Sequence, residues 1–348
     1  MSSLDLARDE ERTRLYWSRE LMRCEDSFGY LAARYLKLKA KHVIGFPTLA
    51  FNRVQRFLHA QCEDQWKRTG WIRQCWGKSR QVGASTYARG KSFHQNGFKN
   101  HRNAFLCAHD EENAYELLEI DKTFLDNLPE QLKPTVGANS KTRMSFTSRN
   151  SKTLVGHAKN INVGASQMNH VVHLTEVARY GDNAEDIQSS LFPSISGAKG
   201  DDHSMVIMES SSRYGGWWFK AFAEAAMRRE NGYEFHFIPW FMHEDYTAPV
   251  PKGFRLSEEE RDIKRRYALT DGQLVWRRLE RARYVTNPAI FHQEFPLSFE
   301  ESWTLPKGTL RVFDDDLLGM LDRKLRPGRR YNAEASGLKE SLGGLVEV

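Results

Sequence analysis

Three short stretches bring together residue types suited to handling a phosphate chain. Residues 77–86 read Gly-Lys-Ser-Arg-Gln-Val-Gly-Ala-Ser-Thr. A phosphate-binding loop of the form G-x4-G-K-[ST] cradles phosphates with backbone N–H groups and a helix N-terminus. It also sets a hydroxyl on magnesium and a lysine on the β/γ oxygens. Gly83 and Ser85 stand where that loop needs them, but Ala84 occupies the lysine position. The cations sit at the front instead, at Lys78 and Arg80, with Gly77, Ser79, Gln81, Val82 and Thr86 completing the expected cradle. A plain glycine turn between a strand and a helix is the alternative reading of the same residues.

The second stretch, Val171 to Glu176, is an apolar run ending in a carboxylate. Ligands of open α/β sheets bind beyond the carboxyl ends of the strands. A glutamate there can orient and deprotonate a water in line with a γ-phosphate. Many nucleotide hydrolases place an aspartate just before it to help hold magnesium; here that position is Thr175. A glutamate that only caps the next helix is the plainer option. The third stretch, Met205 to Met208, runs into Glu209, Ser210, Ser211 and Ser212, with Gly215 and Gly216 beyond. Hydroxyls at a strand end can sense a γ-phosphate and pass on its loss; a serine-rich loop is the alternative. If the three act together, the cofactors are ATP and Mg²⁺. Lys78 and Arg80 then neutralise phosphate, Ser85 holds the metal with Glu176 acting through water, and Glu176 activates the nucleophile.

Elements must position these residues, and the pattern predicts them. Apolar residues at helical intervals (Leu31, Tyr35, Leu38) make residues 1–60 mostly helical, broken at Gly45, Phe46 and Pro47. A second helix there carries Val54, Phe57 and Leu58. Short apolar runs at 71–76, 104–108, 170–174, 205–208 and 235–238 read as buried strands, with a helix following Ser85 and another capped by Asp110. Residues 144–146 and 153–155 suit a hairpin around Arg149 and Asn150. Strands alternating with helices imply an α/β fold with a mostly parallel sheet covered on both faces. The expected division is a helical segment over 1–60, a core over 61–250 and a charged helical region over 251–348. A basic stretch at 323–330 is read as a solvated linker or a nucleic-acid-contacting arm.

The chain of 348 residues is long enough for one large or two modest domains. Lys+Arg 51 against Asp+Glu 45 gives a net +6, a mild bias toward polyanions. Cys24, Cys62, Cys75 and Cys107 lack a C-x2-C spacing, which argues against a zinc site and for reduced intracellular thiols. The charged start and the absence of a long apolar run imply neither signal peptide nor membrane span.

The order of the pieces resembles the ATPases that insert an extra strand and carry a catalytic glutamate. More closely, residues 78–86 resemble the variant Walker A loop of large terminase subunits, the motors that pump DNA into phage and herpesvirus capsids. His173 to Ala178 is similar to that family's Walker B segment, and Glu209, Ser210 and Ser211 are similar to its coupling motif. Phe237 to Trp240, and Glu294 to Pro296 with Glu300 and Glu301, also look like that family. Phe46, Pro47 and Gln55 sit where it keeps an adenine-reading segment. The matches span about 45–305 as a set.

What the resemblance implies is a P-loop NTPase of the additional-strand catalytic-glutamate (ASCE) type with a small helical lid. Its activity would be ATP hydrolysis coupled to double-stranded DNA translocation, independent of sequence. Its partners would be a portal protein, a small terminase subunit and further copies in a ring, with a monomer in isolation, in the host cell cytoplasm. Gln55 would read adenine; Glu209, Ser210 and Ser211 would couple hydrolysis to movement. The family often has Arg-Gly before the Walker B strand, where this chain has Val163 and Gly164, so Arg143, Arg149 or a neighbouring subunit would supply the catalytic arginine. Members usually continue into a nuclease domain; here Val348 falls where it should begin, so nuclease activity is not expected. Asp314, Asp315 and Asp316 look like a helix cap rather than a two-metal site. A helicase, or a degenerate nucleotide-binding scaffold favoured by Ala84 and Thr175, are the rival readings.

Overall fold

A computed structural model of the chain describes residues 3–39, 45–160, 164, 167–195 and 204–304, together with 330–334, 337–340 and 345–346. Val163, Asp314 to Asp316 and most of the basic stretch at 323–330 lie outside them. Residues Met1–Leu305 form one compact unit and Pro306–Val348 a second.

The first unit is built on an eight-stranded sheet. In chain order its strands are β1 Ile72–Lys78, β2 Asn103–Ala108, β3 Val136–Asn139, β4 Arg143–Phe146, β5 Ser151–His157, β6 Val171–Thr175, β7 Met205–Ser210 and β8 Glu234–Ile238. Across the sheet they run β3-β4-β5-β2-β6-β7-β1-β8. The six strands from β5 to β8 in that order are parallel, and β3 and β4 extend one edge antiparallel. β1, β6 and β7 lie inside the sheet, and β6 and β7 are buried along their whole length because both of their faces are covered. The β4–β5 pair is the hairpin expected around Asn150, which turns in the left-handed region at φ 47°.

Helices α1 Ser3–Asp26, α2 Phe28–Arg34, α3 Arg53–Thr69, α4 Ala84–Phe98 and α5 Glu111–Asp126 precede β3. Asp110 caps α5 as its position predicts, accepting from the Asn113 N–H. One core joins Phe28, Leu31, Val54 and Leu58 from the N-terminal helices to Ile72, Trp76, Tyr87 and Phe93. The expected boundary at 60/61 therefore falls inside α3, and the N-terminal helices share the core of the sheet rather than standing apart. A second core packs α6 Asn183–Leu191 and α7 Trp217–Met227 on the other face, through Ile187, Phe219 and Val206.

A third core is smaller and helical. It draws on α8 Glu258–Tyr267, α9 Asp271–Arg281 and α10 Pro288–Glu294, with Ile263, Leu274 and Phe291, and it includes Trp240, ahead of the expected boundary at 250. Trp276 stacks on Trp240 at 4.7 Å and on Tyr246 at 4.6 Å between ring centroids. α8 and α9 each begin with a capping box, Ser257 with Glu260 and Thr270 with Gln273. α11 Phe299–Ser302 then returns to the sheet, its Phe299 packing on Phe235 of β8.

The second unit contains β9 Arg330–Glu334, β10 Gly337–Glu340 and β11 Leu345–Val346, an antiparallel sheet ordered β10-β9-β11. These strands were not expected in the charged helical region over 251–348.

Candidate functional site

The loop after β1 turns twice through the left-handed region, at Gln81 (φ 55°) and Gly83 (φ 83°), and then enters α4. Alternation of this kind makes concave nests of N–H groups that suit anions. No side chain caps α4, so the N–H groups of its first turn lack an intrahelical partner. The loop backbone is pinned from three sides. Ser79 N–H donates to the Ile238 carbonyl at 2.9 Å, and Arg80 N–H donates to the Glu294 carbonyl at 2.9 Å. Tyr246 O–H donates to the Arg80 carbonyl at 2.7 Å. From α3, Asn52 Nδ2 donates to the Val82 carbonyl at 3.1 Å, and Gln55 Nε2 to the Gly83 carbonyl at 3.0 Å.

Gln55 is thus a loop-holding residue. Its Oε1 accepts from the Asn52 N–H at 3.1 Å, completing the capping box of α3, so both ends of the amide are engaged inside the chain. The adenine contact expected of it has a competitor already in place. The same contact explains Gly83: a Cβ there would lie 2.9 Å from Gln55 Nε2 and 3.0 Å from Asn52 Nδ2. Gly77 is as confined, between Phe235 and Phe299.

The charged centre lies at the carboxyl ends of β1, β6 and β7. Lys78 Nζ donates to Glu176 Oε1 at 2.7 Å and lies 3.2 Å from Glu209 Oε2. Lys78 stands five residues before Gly83, where a standard loop has its first glycine. Its side chain therefore comes from the end of β1 rather than from the helix. Ser85 Oγ donates to Glu209 Oε1 at 2.7 Å, and Thr175 Oγ1 donates to the same oxygen at 2.5 Å. Ser211 Oγ donates to Glu176 Oε2 at 2.9 Å. Glu176 itself is left-handed at φ 54°, at the sharp turn leaving β6. A non-glycine residue held there costs on the order of 1–3 kcal/mol, a cost that clusters at functional sites.

The cluster sets its own ionisation. Burial opposes charge on all three groups, but the acids and the ammonium overcome it. Glu209 is held down at about 2 by Lys78, His173 and Thr175. Glu176 is lowered against burial, chiefly by Lys78. Lys78 is raised against burial by Glu176 and Glu209. Burial keeps His173 below its usual range and so neutral, with Nε2 3.4 Å from Glu209 Oε1.

Around this centre lie three arginines, of which the sequence reading named Arg80 and overlooked Arg179 and Arg213. Arg80 and Arg213 both pair with the buried Glu294 of α10, at 3.2 and 2.7 Å. Arg179 Nε lies 3.8 Å from Glu176 Oε2, and burial together with Arg213 lowers its pKa. Arg179 is three residues past Glu176 and Arg213 directly follows the serines, so proximity to each motif was the available signal. Arg143 and Arg149, the candidates named from sequence, are elsewhere. Arg143 lines a cavity with His101, Asn103 and His170 at the amino ends of the strands, and Arg149 pairs with Glu25 at 2.6 Å. A sequence cannot tell which end of a strand a hairpin reaches. Thr86 lines a depression with Leu38, Lys39 and Ile120 of the α5 side. Val82 is packed in the core, and Ser79 is buried with no partner for its hydroxyl.

The three serines after β7 take three directions. Ser211 reaches Glu176. Ser210 Oγ accepts from the Ala178 N–H at 3.0 Å, tying β7 to the turn after Glu176. Ser212 Oγ meets Ser302 Oγ of α11 at 2.5 Å. Consecutive residues at the end of β7 thus contact Glu176, the turn after it and α11.

A hydroxyl and two carboxylates supply hard oxygen donors of the kind magnesium takes, and in nucleotide sites that ion keeps water and phosphate ligands as well. The set fits the ion as part of a shared shell. Among the described residues no group of three or more His, Cys, Asp or Glu forms a metal cage on its own.

In this sheet β7 lies between the phosphate-loop strand β1 and the glutamate strand β6. That inserted strand, with a loop at the N-terminus of α4 and a glutamate at the end of β6, is the fold of the ASCE P-loop NTPases. Within that class the chain has the fold of phage large terminases. The large terminase of bacteriophage HK97 matches with a TM-score of 0.52 at 11% identity, over 78% of this chain and 54% of that one. The chain spans about half the length of that terminase. Also similar are the large terminase of a thermophilic bacteriophage (TM-score 0.45, 12% identity, 81% of this chain and 61% of that one) and the large terminase ATPase domain of Thermus phage P74-26 (0.42, 13%, 71% and 98%). No protein-family model matches the sequence, and no curated protein matches it.

Proposed function

We propose that this chain is an ATP-hydrolysing motor unit of the large-terminase kind, which drives double-stranded DNA into a procapsid. The observation that carries the reading is the Lys78–Glu176–Glu209–Ser85 cluster at the mouth of the phosphate loop. One cation is shared by two acids there, beside open helix N–H groups and a rim of three arginines. A triphosphate with Mg²⁺ answers each of these features. It brings anionic oxygens to Lys78, Arg179 and the α4 N-terminus, and a cation to the acids. The metal would be held by Ser85 and, through water, Glu176, and when bound it neutralises charge on the phosphates. Gln81, Val82, Gly83 and Ala84 would offer backbone N–H groups to the phosphates, with Gly77, Ser79 and Thr86 flanking them. Phosphate arriving at Lys78 takes up the ammonium that now holds Glu176 Oε1 and leaves that carboxylate to accept a proton from water.

Lys78 takes the role of the loop lysine in this proposal, and Arg80 acts through its pairing with Glu294. Ser210, Ser211 and Ser212 are the coupling residues, since they join Glu176 to α11 and through it to the small helical core. Double-stranded DNA, a portal protein, a small terminase subunit and a ring of further copies are the proposed partners, in the host cytoplasm. No helix among the described residues is long and apolar enough to cross a membrane. DNA contacts would be mainly to phosphates, so affinity should fall steeply with salt.

The test is steady-state ATP hydrolysis with magnesium in the parent chain and in Glu176→Gln. Magnesium-dependent turnover in the parent, lost in the variant while nucleotide still binds, supports the proposal. Turnover at the parent rate in Glu176→Gln rejects the assignment of the base. Nucleotide binding with no turnover, even with DNA and portal supplied, would favour the scaffold reading.

A further inference from the structure

Glu209 was expected only to couple hydrolysis to movement, yet its contacts point inward to the metal side of the site. Its Oε1 accepts the protons of Ser85 Oγ at 2.7 Å and Thr175 Oγ1 at 2.5 Å. Its Oε2 accepts no hydrogen bond, and the Lys78 ammonium 3.2 Å away is its ionic neighbour. The residue is wholly buried, at 0% exposure. A wholly buried carboxylate that has to share its one ammonium with Glu176 calls for an explanation.

Two features of the strands supply one. Thr175 and Glu209 are paired across β6 and β7, so their side chains leave neighbouring strand ends together. Thr175 occupies the position where a nucleotide hydrolase commonly has its second acid, and it lacks the charge. Glu209 supplies that charge from the adjacent strand, and Thr175 donates its hydroxyl proton to it. The geometry around Ser85 follows from the same contact. A hydroxyl that donates its only proton to a carboxylate keeps its lone pairs for a cation.

We infer that Glu209 is the positioning acid of the magnesium site, standing on β7 in place of the carboxylate that Thr175 lacks at the end of β6. It acts through Ser85, by fixing the direction of the hydroxyl and by adding negative charge behind it. The inference rests on the nucleotide-hydrolase reading above and goes beyond it. It separates Glu209, which serves the metal, from Ser210 to Ser212, which serve the coupling. It also explains why a site with Thr175 at the end of β6 is not degenerate: the acid has moved by one strand.

The experiment uses Mn²⁺ as the probe. Free Mn²⁺ is followed by electron paramagnetic resonance during titration of the chain with ADP present, and ADP affinity is measured separately in EDTA. Glu209→Gln keeps the volume and the acceptor oxygen but removes the charge. It should weaken Mn²⁺ binding by about 10–100-fold, the usual effect of removing an outer partner of a metal ligand, while ADP affinity in EDTA stays near that of the parent. Adding Thr175→Asp to Glu209→Gln should recover most of the loss by returning the charge to β6. Mn²⁺ affinity unchanged in Glu209→Gln overturns the inference. So does a loss that Thr175→Asp fails to recover, or one matched by an equal loss of metal-free ADP binding. If Glu209→Gln does not fold, Glu209→Asp draws the carboxylate back from Ser85 by one methylene. Weaker Mn²⁺ binding with intact ADP binding then supports the inference, and parent affinity overturns it. A parent that binds no ADP under any condition would instead remove the nucleotide reading and the inference with it.

Discussion

Two buried ionic groups flank α4, and they are built to opposite specifications. In one, Arg89 of α4 meets Asp121 of α5 by two N–H···O contacts, at 0% and 1% side-chain exposure. One cation faces one anion in a fork, and the two charges match, although Arg89 Nη1 has no hydrogen-bond partner. In the other, Lys78 is shared by Glu176 and Glu209, and Arg179 stands at the rim, 3.8 Å from Glu176. Glu176 keeps 24% of its side chain exposed. A matched fork joins two helices and leaves nothing for a ligand. A shared cluster open on one side can exchange its partners for an incoming cation and anion. Burial and ion pairing alone do not mark a site; a shared cation and an open side do.

The comparison can be broken first at Glu176. Glu176→Gln should lower kcat by about 10²–10⁴-fold, the usual weight of a positioned general base, with nucleotide affinity retained. A variant that loses binding and turnover together would put Glu176 in the same structural category as Asp121. On the other side, Asp121→Ala strands Arg89 and should cost about 3–5 kcal/mol of stability in urea denaturation. Replacing both partners by Met and Leu should restore most of that, because a closed pair is dispensable once its volume is filled. If the double variant stays as unstable as the single one, the pair does more than join α4 to α5.

A smaller effect is expected at Gln55. Removal of one hydrogen bond to the loop, worth about 1 kcal/mol, should weaken ATP and GTP alike in Gln55→Ala, by about fivefold. A loss confined to ATP would return Gln55 to the base-reading role. The smallest effect concerns pH. Because the folded-state pKa of Glu209 is depressed to about 2, against about 4.3 in a free chain, its stabilising contribution is complete above the free-chain value. It is lost only as pH falls through the folded value. The difference in melting temperature between the parent and Glu209→Gln should therefore be flat from pH 6 to 8 and shrink only below about pH 4. A change that sets in as pH falls below about 6.5 would point to His173, whose pKa is lowered by burial.

Much of the framework was legible in the residues. The strand runs, the Asp110 cap and the β4–β5 hairpin follow from local pattern, because apolar alternation and turn chemistry act over a few residues. The order of loop, glutamate and serines was enough to expect an inserted strand. The domain boundaries were not legible: α3 crosses 60/61 because its buried face, Val54, Leu58 and Cys62, belongs to the same core as β1. Arg179, Arg213 and Glu294 were not singled out as partners, since they come from three separate segments.

Sequence by itself determined which side chains are available at the ends of β1, β6 and β7: a lysine ahead of the loop, a glutamate after an apolar run, a glutamate with three serines after another. It also determined that Ala84 leaves the helix position without a cation. Only the tertiary structure decided which acid meets which donor. Parallel pairing of β6 with β7 sets Thr175 beside Glu209, and β1 on the other side of β7 brings Lys78 between the two acids. Local preference specifies a strand and its end. The neighbour across a parallel sheet is specified by the path of the whole chain, because each crossover between parallel strands is long and leaves no local mark of where it returns.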